Sequence, residues 1–214
     1  MAVYYDEMEK KAVDNEVSGL HLVDEDSMKP KFIGQITDTI KFVKDGIYKV
    51  TEDITVNAKA GDVLELPVGY NTVVNEASKL IAALIKRHTG YQGALQWEVG
   101  SGQSTWDDAN PPAPNVTDKA LATPFFRKAI QLSDISFIDG ANAVVSTVTN
   151  RIQIKVTFLS TEANGYLREF GIFGGGADCK VDVLGSGHMI NRKTHGVIFK
   201  TSGMEITRTL RFTF

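Results

Sequence analysis

Histidine and cysteine, the residue types most often used as metal ligands or nucleophiles, are scattered along this sequence. The single cysteine, Cys179, has no cysteine partner and no local signature of a positioned base. His188 and His195 are separated by six residues, which is wider than the usual spacing of zinc ligands, and His21 and His88 lie far from both. The sequence therefore predicts no zinc site, and we expect Cys179 to be a small buried thiol.

Two other patterns are typical of ligand-binding loops, but both are incomplete. Asp107 and Asp108 are adjacent carboxylates that could bind calcium, yet the rest of a ligand loop is missing. The glycine-rich stretches at 100–102, 174–176 and 185–187 lack the lysine and hydroxyl residues of a phosphate-binding loop. We therefore interpret these glycines as turn residues and predict no cofactor and no bound metal.

The remaining acid–base candidates are the carboxylates of Glu162, Glu169 and Asp178. Carboxylate pairs cleave glycosidic bonds only at particular separations, and no sequence pattern here indicates one. Arg168 and Glu169 are instead expected to lie on opposite faces of a strand, each paired with an opposite charge on a neighbouring strand. We predict that the protein is not an enzyme.

The overall composition of the chain argues against several classes of protein. The chain has 214 residues, of which 43% are hydrophobic and 23% charged, as in ordinary globular proteins. A net charge of −3 argues against a chain-wide nucleic-acid surface. No apolar run approaches the roughly 20 residues that cross a bilayer, and the N-terminus lacks the layout of a secretory signal. One cysteine excludes an intrachain disulfide and fits synthesis in a reducing cytoplasm.

Acidic charge is concentrated at the N-terminus. Residues 1–30 hold eight acidic and three basic residues, a net charge of −5, which leaves +2 for the rest of the chain. We interpret this segment as an acidic N-terminal arm. It is either a solvated tail or an arm that docks on a neighbouring subunit through anchors such as Tyr4 and Tyr5.

The elements that would position these residues begin with a small β region, residues 31–70. Strand-like runs occupy 32–37, 40–50 and 62–67. The dipeptide Asp45-Gly46 interrupts the second run and has the composition of a hairpin turn.

One amphipathic helix follows. Asn71, Thr72 and Asn75 are candidates to cap its start, and Gly90 lies just past its end. Apolar residues recur there at three- and four-residue spacing, so we expect one continuous stripe packed on a sheet, formed by Val73, Ala77, Leu80, Ile81, Leu84 and Ile85.

The second half of the chain reads as antiparallel strands. Alternation of apolar and polar residues is clearest at 151–158 and 206–214, although Arg208 interrupts the apolar face and is expected to snorkel or pair. A turn at Asp139-Gly140 is predicted between neighbouring strands. The proline-bearing loop 103–118 must run over the surface, because proline cannot serve a central ladder.

These elements predict a fold that is mainly β (α+β). We expect an antiparallel β-sandwich-like body with one amphipathic helix and an N-terminal arm. The predicted domains are the arm at 1–30, the small β region at 31–70, and a helix-plus-β domain at 71–214.

Three stretches of the body form an ordered series. The first is the capped helix at 71–82, and the second runs from Leu95 through Gly102 and the proline-bearing loop to Lys128. The third, 156–173, contains a Glu-x-x-Gly-x-hydrophobic-Arg-Glu-hydrophobic-Gly-hydrophobic-Phe pattern, matched by Glu162, Gly165, Leu167, Arg168, Glu169, Gly171 and Phe173. This order resembles that of the tail-collar and tail-fibre-attachment proteins of bacteriophages. The resemblance covers about half of the chain, residues 71–175.

The resemblance implies a virion structural protein of a phage tail, made in the host cytoplasm, that serves as a collar, baseplate or fibre-attachment component. Such a part would self-associate as a ring or trimer and connect the tail to fibre proteins, without nucleic acid or membrane insertion. Contacts are expected at the N-terminal arm, at the loop and at a sheet edge near 167–173; the candidate residues are Tyr4, Tyr5, Trp106, Asp107, Asp108, Arg168 and Glu169.

Three alternatives stay open. A receptor- or glycan-binding module of the same particle could stack Trp106 and Tyr91 on a host-surface sugar, while Asp107 and Asp108 supply hydrogen bonds or bind calcium. The chain could instead be a head or neck decoration protein. A depolymerase that cleaves host polysaccharide is the third alternative.

Overall fold

A large antiparallel sheet dominates the part of the chain that the structure, a computed structural model, describes: residues 33–214. The predicted N-terminal arm, with Tyr4 and Tyr5, lies outside the described residues. The strands are β1 (Ile33–Phe42), β2 (Gly46–Lys49), β3 (Thr55–Ala58), β4 (Val63–Val73), β5 (Gln92–Gly100), β6 (Pro124–Ala129), β7 (Ile135–Ile138), β8 (Val144–Val145), β9 (Arg151–Phe158), β10 (Gly165–Gly175), β11 (His188–Lys200) and β12 (Met204–Thr213). The helix α1 spans Glu76–Ile85, and a short 3-10 turn spans Leu132–Asp134.

The ten-stranded sheet folds back on itself. Its strand order is β6-β5-β10-β11-β4-β1-β12-β9-β7-β8, and β2 pairs separately with β3. Although β5 and β9 stand far apart in this order, the rings of Trp97 and Phe158 lie 6.4 Å apart, and Phe126 on β6 lies 6.1 Å from Phe158. The two halves therefore face each other across a shared core, which confirms the predicted β-rich, sandwich-like fold.

The core is formed by side chains that alternate along the strands of both halves. On β9 the predicted alternation is confirmed, because Ile154, Val156 and Phe158 are all buried. On β12 the buried apolar residues are Ile206, Leu210 and Phe212. These residues share one apolar cluster with Trp97, Phe170 and Ile172 from the opposite half.

The hairpin predicted at Asp45-Gly46 is wrong. The strand that follows this dipeptide, β2, pairs with β3 and not with the preceding strand β1. The Asp45 carboxylate instead accepts a hydrogen bond of 2.8 Å from the Ala60 amide. β1 is free to pair along its whole length with β12, from Ile33–Thr213 to Phe42–Met204.

The helix begins after Asn75, one of the three predicted N-cap residues, and packs against β5 and β11. Ala77 and Leu80 are buried there, but Ile85 is 79% exposed and Leu84 is 43% exposed. The prediction that the entire apolar stripe packs on the sheet is therefore wrong at the C-terminal end of the helix, because only its first turns lie over the sheet.

The unit Phe32–Thr213 is compact, and the boundary predicted at residue 70 falls inside β4. β4 pairs with β1 through most of its length and then reaches β11 at Thr72 and Val73. It therefore joins the two halves of the sheet. Within residues 33–214, no helix is long and apolar enough to cross a membrane.

Candidate functional site

The loop between β5 and β6 is held to β10 by Arg168. The Arg168 guanidinium donates from Nε to Asp108 Oδ1 at 2.7 Å, and its Nη2 also contacts that oxygen. Its Nη1 donates to the Ser101 carbonyl at 3.1 Å. The predicted charge pairing of Arg168 is thus found, but its partner is in the loop rather than on a neighbouring strand.

Glu169 binds the far end of the same loop. Its carboxylate accepts hydrogen bonds from the amides of Ala122 at 3.0 Å and Thr123 at 2.8 Å. It also pairs with Arg192 on the neighbouring strand β11 at 2.6 Å, and Arg192 reaches Asp118 at 2.7 Å. We call this group, Glu169, Arg192, Asp118 and the two amides, the loop clamp.

The register of β10 shifts between Leu167 and Glu169, and both Leu167 and Phe170 pack in the core, so the alternation that was predicted to place Arg168 and Glu169 on opposite faces is interrupted here. β10 lies between β5 and β11, and residues 167–173 are therefore not at a sheet edge as predicted. The Glu169 side chain is 0% exposed. Glu169, predicted to contact a partner chain, instead forms contacts within its own chain.

The exposed part of the loop carries the other predicted contact residues. Trp106 is half-buried and packs so closely on Gly102 that a Cβ there would lie 2.4 Å from its ring. Asp107 accepts hydrogen bonds of 2.8 Å from the amides of Ala109 and Asn110, which lower the pKa of its carboxyl group. Asp107 and Asp108 therefore serve different partners, and this loop does not bring them together as a pair of calcium ligands.

A second buried ion pair fixes the loop between β10 and β11. Glu98 on β5 and Arg127 on β6 pair at 2.8 Å with both side chains almost fully buried. Glu98 accepts from the Gly185 amide at 2.7 Å, and Arg127 donates to the Ser186 carbonyl at 2.7 Å and to Cys179 Sγ at 3.3 Å. Cys179 is half-buried rather than buried as predicted. This partial burial raises the pKa of its thiol, which keeps it protonated and poorly nucleophilic.

A cavity of about 370 Å³ lies on the core side of these loops. β4 and β11 pair at only two positions and then separate. Beyond that point, β11 donates hydrogen bonds to loops: Val197 N donates to Asp108 O at 2.7 Å and Phe199 N donates to Val50 O at 2.9 Å. The cavity occupies the resulting wedge; its lining includes Ile36, Asp38, Leu66, Phe170, Lys193 and His195.

Two lining residues of this cavity, Asp38 and His195, contact the guanidinium of Arg208, which lies behind the cavity wall. Asp38 on β1 pairs at 3.1 Å with Arg208 on β12, whose side chain is 0% exposed. Arg208 Nη2 also donates to His195 Nε2 at 2.9 Å, and His195 Nδ1 donates to the Gly196 carbonyl at 2.8 Å. Burial and the adjacent guanidinium lower the pKa of His195 to about 3, so the ring is neutral at pH 7. Together with Lys193, these residues are called the cavity cluster.

The cavity cluster is incompletely hydrogen-bonded. Asp38 Oδ1 and two nitrogens of Arg208, Nε and Nη1, are buried and have no hydrogen-bond partner among residues 33–214. The Lys193 ammonium has neither a hydrogen-bond acceptor nor an ion-pair partner among the described residues. Burial raises the pKa of Asp38 and lowers the pKa of Lys193. A cavity lined by an ammonium that has no partner among the described residues can bind a polar ligand, whereas the loop clamp holds the chain together.

The sequence indicated only one member of the cavity cluster. Arg208 was marked by its position on the apolar face of a strand, and the structure pairs it with Asp38. Asp38 carries the same signal, because it stands between the buried residues Ile36 and Ile40. Lys193 and His195 lie on β11, which has no clear alternation, so no sequence pattern singles them out.

The two aromatic residues proposed for sugar stacking do not form one platform. The Trp106 ring lies beside Arg192 at 5.8 Å, whereas the Tyr91 ring stacks on His188 at 6.0 Å. Within residues 33–214, no three His, Cys, Asp or Glu side chains come together in a way that could hold a metal ion. No protein-family model matches this sequence, and a search of curated proteins gives no match.

Proposed function

We propose that this chain is a structural protein of a bacteriophage tail, located in the virion as a collar, baseplate or fibre-attachment component. It forms homo-oligomers, as a ring or trimer, and connects the tail to fibre proteins. The observation that carries the proposal is the role of Arg168 and Glu169. These two residues of the resembling motif both bind the long loop between β5 and β6 and hold it on the sheet.

A part that works through its shape needs fixed loops. In this protein, two long loops are anchored by buried ion pairs, Arg192–Glu169 in one case and Arg127–Glu98 in the other. Loops held in this way present a rigid surface, and rigid surfaces lose little entropy when subunits associate. Repetition of such a surface around a closed ring adds weak contacts into a stable assembly.

The direct test is antibody–gold labelling of intact particles from the source, viewed by negative-stain electron microscopy, with antibody pre-absorbed on the pure chain as the control. Gold at the tail end or collar is the expected result. Gold over the head would instead support a decoration protein. Particles without gold would overturn the proposal and favour an enzyme or a free binding protein.

Assembly is tested with the full-length chain in solution. We expect light scattering after size-exclusion chromatography to give a closed oligomer. We also expect deletion of residues 1–25 to abolish assembly while leaving the circular-dichroism spectrum of the body intact. A monomeric full-length chain, or unchanged incorporation of the truncated chain into particles, would contradict the predicted role of the arm.

A receptor- or glycan-binding module of the same particle is the second candidate. The observation that favours it is the cavity between β4 and β11, where Asp38 Oδ1 has no hydrogen-bond partner. A purely structural subunit gains nothing from a buried unpartnered acceptor, because leaving such a group unpaired costs stability.

A further inference from the structure

We propose that the cavity between β4 and β11 binds a small carboxylate-bearing polyol, such as a uronic acid, with the carboxylate on Lys193 and a hydroxyl group on Asp38. The proposal does not depend on the tail assignment. The side chains involved take no part in the loop clamp. Ligand binding at the cavity can therefore be tested independently of where the chain lies in a particle.

Lys193 supplies the cationic end of the site. It is half-buried and lines the cavity, and its ammonium has no acceptor within the part of the chain that the structure describes. Lys200, on the same strand, differs from Lys193 because the protein supplies its acceptors. Its Nζ donates to Leu159 O, Asn164 Oδ1 and Met204 O within 2.8–3.2 Å. An anionic oxygen is the ligand group that best compensates a partly desolvated ammonium.

The other charges at the cavity do not supply that anion. Glu52 pairs with Lys49 at 2.8 Å, Asp108 pairs with Arg168, and one oxygen of Asp38 pairs with Arg208. These pairings leave Lys193 as the uncompensated cation of the lining described here. They favour a ligand that brings its own carboxylate.

The acceptors of the cavity require a different ligand group. The carboxylate side chain of Asp38 lines the cavity and is 10% exposed, and the exposed carboxylate of Asp53 lines it as well. Hydroxyl groups donate to carboxylates without adding a charge, so several hydroxyls on one molecule can serve both acceptors. A second carboxylate at these positions would be repelled. The combination of one cation and two acceptors therefore matches one carboxylate and several hydroxyls.

The size and walls of the cavity fit a single sugar ring. Its volume of about 370 Å³ lies at the lower end of the range of about 300–1,000 Å³ that small-molecule sites occupy. Ile36, Leu66 and Val197 provide apolar walls that pack against the carbon faces of a ring. Gly69 has no side chain to fill this part of the cavity. A Cβ at this position would lie 3.2 Å from Lys193 Nζ, so the glycine leaves room for the lysine.

The test is titration of the full-length chain with sodium glucuronate, followed by ligand-observed NMR and calorimetry. Glucose, which lacks the carboxylate, and acetate, which lacks the hydroxyls, are the matched ligands. We expect saturable binding of glucuronate and at least tenfold weaker binding of glucose and of acetate. Absence of glucuronate binding, or equal binding of glucose, would overturn the proposal.

The variant Lys193→Met removes the cation without breaking any contact in the protein, so it should fold normally. We expect it to weaken glucuronate binding about tenfold or more, the usual effect of losing a charge-assisted hydrogen bond. Lys155→Met, which changes an exposed lysine on β9, is the control and should bind like the parent. Unchanged binding by a folded Lys193→Met protein would place the ligand elsewhere and refute this site.

Discussion

The loop clamp and the cavity cluster both bury a carboxylate against an arginine, but they differ in how completely their hydrogen bonds are satisfied. Glu169 uses both oxygens, on two backbone amides and on Arg192. Asp38 leaves one oxygen without a partner, and Arg208 leaves two nitrogens. A fully satisfied buried pair holds structure together, whereas a half-satisfied pair costs stability and leaves groups free for a ligand.

The largest expected effect is at the loop clamp. Glu169→Ala leaves Arg192 buried without its main partner and releases the amides of Ala122 and Thr123, so we expect a loss of about 3–5 kcal/mol in the free energy of unfolding. Urea denaturation followed by circular dichroism measures it. Glu65→Ala, at an exposed position on β4, is the control and should change stability by less than about 0.5 kcal/mol. A loss of under about 1 kcal/mol for Glu169→Ala would show that the clamp does not hold the loop.

Replacing both residues of an ion pair is expected to change the free energy of unfolding differently in the two clusters. We expect Arg208→Met alone to cost about 2–4 kcal/mol, because Asp38 stays buried, whereas Asp38→Val with Arg208→Met should come within about 1 kcal/mol of the parent. The matched pair Glu169→Ala with Arg192→Met should remain destabilised by about 2 kcal/mol, since Ala122 and Thr123 still lack an acceptor.

Both double-mutant cycles are measured by urea denaturation under the same conditions. Equal recovery of stability in the two double variants would remove the distinction between the clusters.

A smaller effect is expected from pH. The pKa of His195 is lowered from 6.5 to about 3 in the folded protein, so between these values the unfolded chain binds a proton that the folded protein does not. Stability from this group is therefore complete above pH 6.5 and falls as the pH drops towards 3. Between pH 7 and pH 5 the loss is about 2 kcal/mol.

His195→Gln keeps an acceptor for Arg208 and should lose this part of the pH dependence. The raised pKa of Asp38 acts in the opposite direction, but it is common to parent and variant and cancels in their difference. His88→Gln, at an exposed position, is the control. The midpoints of urea unfolding are compared at pH 7 and pH 5. The same change in midpoint for the parent and for His195→Gln would contradict this prediction.

The smallest effect is expected at Lys193. Because the Lys193 ammonium has no partner among the described residues, Lys193→Met should leave the free energy of unfolding unchanged or raise it by about 0.5 kcal/mol. Lys200→Met, on the same strand, loses three hydrogen bonds of Nζ and should cost about 2 kcal/mol. A clear loss of stability in Lys193→Met would show that this residue is structural.

Local sequence patterns were sufficient to predict the strands that have one buried and one solvated face. β9 and β12 alternate in sequence because one side of each strand packs in the core, and both were predicted. β11 was not recognised, because loops and the helix cover one face while the core covers the other, and its polar residues Asn191, Arg192 and Thr194 are buried. Its pattern therefore shows no period of two.

The candidate site depended on contacts between distant parts of the chain. Asp38 meets Arg208 only because β1 and β12 pair in a particular register, and Arg168 meets Asp108 across 60 residues. The sequence marked Arg208 as anomalous on an apolar face, but it did not show which residue would face it. Register and loop path are properties of the whole sheet, so short motifs do not determine them.

The pairing of β1 with β12 has a consequence for synthesis. Phe42 on β1 pairs with Met204, so β1 must wait for about 160 more residues before its partner on this side exists, whereas β4, its partner on the other side, is made soon after it. At about 5–20 residues per second, that delay is on the order of ten to thirty seconds on the ribosome. During this time β1 presents an unpaired edge with Ile36, Ile40 and Phe42, which exposes the nascent chain to aggregation or chaperone binding until β12 has been synthesised.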